Sequence, residues 1–114
     1  MADPEALARE VERAVLTSPG ATSEALRRAV AARSAALGGR PAAAAGGGEI
    51  PSALTSYVDK VACHAYQVTD EDLAALSRAG YSEDAVFEVT LAAAVGAGLA
   101  RLERGLAALR GGGS

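Results

Sequence analysis

The chain has almost no sulfur and little aromatic mass. Its 114 residues include one cysteine (Cys63), one histidine (His64), one methionine, one phenylalanine and no tryptophan. A single cysteine excludes an internal disulfide, a Cys-x-x-Cys redox pair and a multi-cysteine zinc site within one chain. A single histidine excludes a His-x-x-x-His ligand pair, so no metal is expected. With aromatics at 4% but apolar residues at 50%, the core has to be built from Ala, Leu and Val. Such a core favours closely packed helices over bulky side-chain filling.

Charge of either sign is also sparse in useful places. Residues 1–49 carry six acids and six basic residues, and residues 50–114 carry eight acids and five, giving a formal net charge of -3. No basic patch stands out, so nucleic acid is not an expected partner. The start, "MADPEALARE", lacks the basic start and apolar run of a signal peptide. The longest nearly apolar run, Val89 to Ala100, is twelve residues, which suits a buried core helix better than a bilayer span. The expectation is a soluble, cytoplasmic protein with no membrane contact. "GAG" at 96–98 lies inside a helical pattern with no strand before it, so it is no phosphate loop, and no cofactor is expected.

What is present reads as five helices and no strand, an all-α fold. "DPEALAREVERAV" has Asp3 as N-cap, Pro4 in the first turn, and an apolar stripe of Leu7, Val11, Ala14 and Val15. A second helix follows Thr22 or Ser23, with Leu26, Ala29, Val30 and Leu37 on one face. Arg27, Arg28 and Arg33 lie largely off that face, as a solvated surface or an acidic-partner site. Residues 1–37 thus form an N-terminal helical pair. Residues 38–49, "GGRPAAAAGGGE", read as a flexible linker. Residues 50–110 form a helical core, and 111–114 a disordered tail.

The third helix is expected from about Pro51 to Val68, with Leu54, Tyr57, Val58, Val61, Ala65 and Val68 on its apolar stripe. Cys63 falls on the opposite side, His64 at the margin and Tyr66 off the stripe. Neighbours on a helix diverge by about 100°, so Cys63 and His64 do not share a face. Next comes a run of capping signals. Thr69 is an N-cap with Asp72 at N3, Val68 can staple onto Leu73, and Asp70 and Glu71 suit the positive end of the dipole. Gly80 and Tyr81 form a Schellman ending on Leu76, and Ser82 caps the fifth helix, expected from about Glu83 to Leu109. The hairpin 69–109 is the centre of the fold. Between Ala85 and Ala100 only Glu88 and Thr90 are polar, and Ala92, Gly96 and Ala100 repeat at four-residue spacing. A helix apolar nearly all round is central or lies in a subunit interface.

The stretch "YVDKVACHAYQVTDEDLAALSRAGYSEDAVFEVTLAAAVGAGLARLERGL", and within it "LAALSRAGYSEDAVFEVTLAAAVGAGLARLERGL", resembles the carboxymuconolactone decarboxylase and alkylhydroperoxidase D-like superfamily over about residues 50–110. The resemblance implies an all-α fold assembled as a homo-oligomer, a trimer or a multiple of it. The redox branch carries Cys-x-x-Cys-x-x-x-His before the Ala-Gly turn. Counted back from Gly80, its two cysteines fall on Ala65 and Val68, the relay histidine on Gln67, the later histidine on Asp72 and the upstream glutamate on Ala53. Every redox position departs from the pattern, so the dithiol peroxidase centre is missing.

Three function classes follow. The first is a non-redox oligomeric binding or structural protein, with a small molecule as its ligand. The second is a decarboxylase or isomerase-type enzyme using His64 and Tyr66 with a carboxylate such as Asp72 for general acid–base work. The third is a one-cysteine peroxidase through Cys63, which lies far from the helix N-terminus that would stabilise a thiolate.

Overall fold

Among the described residues, four of five α-helices start at a side chain that replaces a missing backbone partner. The computed structural model describes residues 3–39 and 49–112, as α1 (Pro4–Thr17), α2 (Glu24–Leu37), α3 (Ser52–His64), α4 (Asp70–Arg78) and α5 (Glu83–Ala107). A 3-10 turn spans Ala65–Gln67 and a π turn spans Ala108–Gly112. No strand occurs among the described residues, and the fold class is all-α. The N-caps are Asp3, Ser23, Thr69 and Ser82, each accepting from a backbone N–H in the following turn. Residues 40–48, most of the expected linker, and 113–114 of the expected tail lie outside the described residues.

The α4–α5 corner follows its capping signals closely. Thr69 and Asp72 form a reciprocal capping box. Gly80 has φ +100°, a conformation that costs glycine little. It lets Gly80 N–H reach the Ser77 carbonyl at 3.0 Å and Tyr81 N–H the Leu76 carbonyl at 3.1 Å, the two bonds of a Schellman ending.

The core joins both halves of the sequence. Val30, Leu54, Val58, Val89, Ala92 and Ala93 are wholly buried in one cluster. Each fully buried Leu or Val contributes roughly 1.5–3 kcal/mol. The most extensive helix–helix contact is α2 with α5. It depends on small residues, because a Cβ at Gly96 would overlap the Ala31 carbonyl, so the two backbones touch there. Glycine costs a helix about 1 kcal/mol against alanine, and this approach is what it allows. Ala92, Gly96 and Ala100 are all buried, with Gly96 against Ala31 of α2 and Ala100 beside Gly38 at its end.

Several expectations are corrected. Helix α3 stops at His64 (φ -146°, ψ 53°) instead of running to Val68, and Ala65 is exposed rather than on a buried stripe. The chain must reverse into α4 here. The orphan Ala62 carbonyl is met by the Arg101 guanidinium from α5. Arg27 is buried, not solvated, and donates to the Val15 carbonyl at 2.7 Å and the Thr22 carbonyl at 3.4 Å. Arg33 is held by Asp59 of α3 through two bonds at 2.5 and 2.7 Å. On α1, Leu7 and Val11 are 55% and 49% exposed, because the single chain offers nothing that fully covers their stripe.

Among the described residues, α5 and its π turn form a helix long and apolar enough by composition to cross a bilayer. Core helices share that composition, and here Val89, Ala92, Ala93, Ala97 and Ala100 are buried within the bundle.

Candidate functional site

The residues singled out from sequence do not converge on one cavity. Cys63 is a free, exposed thiol. His64 is exposed, and its ring meets the edge of Tyr66 with centroids 6.0 Å apart. Tyr66 itself is 81% exposed. Asp72 is engaged elsewhere. It accepts from Thr69 N–H at 2.9 Å and from the Lys60 ammonium at 2.9 and 3.0 Å, tying α4 to α3. The Thr69 N–H and then Lys60 hold its carboxyl below the usual range. The structure therefore brings His64 and Tyr66 together and leaves Asp72 in the capping box. No cluster of three or more His, Cys, Asp or Glu side chains suited to a metal occurs among the described residues.

The two polar residues of the apolar part of α5 have defined partners. Glu88 accepts from Thr22 Oγ1 at 2.6 Å, Thr22 N–H at 2.8 Å and Ala21 N–H at 2.8 Å. The Thr22 hydroxyl first, then the Ala21 and Thr22 amides and the charge of Arg27, hold its carboxyl below the usual range. Glu88 thus fixes the α1–α2 turn onto α5.

Thr90 has a different role. Its hydroxyl lies 2.6 Å from Tyr57 Oη and donates to the Val86 carbonyl at 2.7 Å. A threonine has one hydroxyl proton, and the carbonyl can only accept. Tyr57 is therefore the donor to Thr90, and the chain runs Tyr57 to Thr90 to Val86. The Tyr57 oxygen keeps acceptor capacity.

This pair borders a candidate site, a groove of about 500 Å³ between α3, α4 and α5. Leu73, Tyr81, Val86 and Phe87 supply apolar and aromatic wall, while Ser77, Glu83 and Asp84 add polar groups. Tyr57 is buried and Phe87 is 63% exposed, so the groove runs from a closed floor to an open lip.

Comparison with protein-family models, with curated proteins and with solved structures finds no match. The groove and its chemistry are therefore the basis for reading function.

In the sequence Tyr57 falls on the apolar stripe of α3 and Thr90 in the apolar run of α5, with nothing in their spacing to join them. The signal was there: a polar residue within an apolar helix needs a partner, and a buried tyrosine brings a hydroxyl that needs one too.

Proposed function

We propose that this chain is a non-redox helical binding protein, of the carboxymuconolactone decarboxylase-like type without its dithiol centre, which works as a homo-oligomer and holds a small molecule in the α3–α4–α5 groove. The observation that carries this reading is the groove itself: a concave, largely apolar and aromatic surface with the part-buried Tyr57–Thr90 hydroxyl pair on its floor. Small-molecule sites have this character, apolar walls with a few placed polar groups. Cys63 and His64 line neither this groove nor the α1–α5 groove described next.

The homo-oligomer rests on a second surface. Leu7 and Val11 of α1 join Val95, Gly98, Leu99 and Leu102 of α5 around a shallow apolar groove. A second copy laid against it would cover the stripe that α1 leaves in water. Sedimentation of the full chain tests this part, with a mass at a multiple of 11.3 kDa expected and a monomer at micromolar concentration overturning it. The Leu7→Lys/Val11→Glu variant is expected to shift the assembly toward monomer. Ligand binding is tested by titrating small apolar compounds and following Tyr81 and Phe87 by NMR. Shifts there in the wild type that weaken in Phe87→Ala support the site.

A further inference from the structure

The polar atoms lining the groove are rich in hydrogen-bond acceptors. The Tyr57 proton is committed to Thr90, so Tyr57 Oη offers lone pairs only. Glu83 and Asp84 stand at the rim in the first turn of α5, and their carboxylates can only accept. Ser77 and Tyr81 carry hydroxyls that can do either. Among the described residues, no lysine, arginine or histidine lines the groove. Two acids of α4 are paired, Asp72 with Lys60 and Glu71 with Arg78. Glu83 and Asp84 form no ion pair among the described residues. The walls are Leu73, Val86 and Phe87, with the Tyr57 and Tyr81 rings.

We propose that the groove takes an apolar or aromatic small molecule bearing a protonated amine, its body between Leu73, Val86 and Phe87 and its ammonium group at the rim with Glu83 and Asp84. An ammonium group brings three donors and no acceptor, the complement of this acceptor-rich floor and rim. Aromatic faces add attraction for a cation, and a carboxylate ligand would meet two like charges with no cation to offset them. This inference rests on the reading of the groove as a binding site and adds the chemical class of the ligand.

The test compares three probes of one shape with the full-length protein: 4-phenylbutylamine, 4-phenylbutan-1-ol and 4-phenylbutyrate. Binding is followed by NMR shifts of residues 77–90 and by calorimetry. The amine is expected to bind about five- to tenfold tighter than the alcohol, with the carboxylate weakest, as two partly solvated carboxylates allow. The Glu83→Gln/Asp84→Asn variant should bind the alcohol as before and lose the preference for the amine. Should that variant unfold, the wild type still decides, because the preference must shrink between about 20 and 500 mM salt while alcohol binding holds. Equal binding of amine and alcohol would overturn the ligand class and leave the groove as a site. If none of the three probes shifts residues 77–90, the groove reading falls with it.

Discussion

Thr22 gives both its backbone N–H and its hydroxyl to Glu88, at 2.8 and 2.6 Å, across 66 residues of sequence. The contact joins the α1–α2 turn to the middle of α5. It turns the one acid within an otherwise apolar stretch into a structural anchor.

Removing that anchor has a defined cost. Glu88→Ala deletes the acceptor for three donors and leaves the Arg27 guanidinium without its nearby carboxylate. We expect a loss of about 1–3 kcal/mol in chemical denaturation, because bonds to a charged group exceed neutral ones and freed donors lose partners. An unchanged denaturation midpoint would contradict the anchor role.

The same group sets a pH dependence. Glu88 is held below its ordinary value of 4.5 in the folded protein, so between the two values the unfolded chain binds more protons. Its contribution is complete above the unfolded value and is lost as pH falls through the folded one. Asp72 shifts in the same direction from 3.8 and acts with the same sign. Stability measured from about pH 6 down to about pH 3 should fall, and Glu88→Gln should flatten part of that slope. An equal slope in the variant would count against it.

Gly96 tests the α2–α5 contact. Gly96→Ala improves helix propensity by about 1 kcal/mol but drives a methyl group into the Ala31 carbonyl. The clash is with backbone, which cannot rotate away, so the net change should be destabilising by about 1–3 kcal/mol. Thermal denaturation checks the sign. At Gly98 a new Cβ meets nothing within 4 Å, so Gly98→Ala should be neutral or stabilising in the single chain.

Ser34 is wholly buried and its hydroxyl has no hydrogen-bond partner among the described residues. Ser34→Ala removes that desolvated group and supplies a better helix former. A gain of about 0.5–1.5 kcal/mol is expected in urea melts. A loss of stability would show that the hydroxyl has a role in the folded chain.

Cys63 is exposed and lies outside both grooves. Cys63→Ser should leave stability within about 0.5 kcal/mol and probe binding unchanged. In the folded wild type the thiol should react with a maleimide without prior unfolding. Slow labelling, or loss of binding in the variant, would assign Cys63 a role in the site.

The parts of the fold readable from sequence were those written in neighbouring residues. Thr69, Asp72, Gly80, Tyr81 and Ser82 make their capping contacts within a few positions, so their spacing sufficed. The alanine and glycine repeat on α5 marked close packing, while its partner, α2, required the third dimension. Arg27 looked like a surface residue because its partners, the Val15 and Thr22 carbonyls, are backbone groups that carry no side-chain signal. The periodicity of α3 overran His64 because Arg101, which meets the end of the helix, lies 39 residues away. Of the candidate site, Tyr57 and Thr90 were both visible, but only folding brings them into one chain of hydrogen bonds.

Where the core is lined by alanine, at Ala29, Ala35, Ala62, Ala92, Ala93, Ala97 and Ala100, there is little left to trim. In a leucine-rich core the damaging substitutions are truncations, which open cavities. At the buried alanines of α2 and α5 almost every interior change is an enlargement, which presses on the facing helix. A saturation mutagenesis profile of α2 and α5 should therefore be lopsided, tolerant of glycine and serine at many buried alanines and intolerant of valine or leucine. The spacing between these two helices, more than the bulk of any side chain, is what selection on stability would act upon.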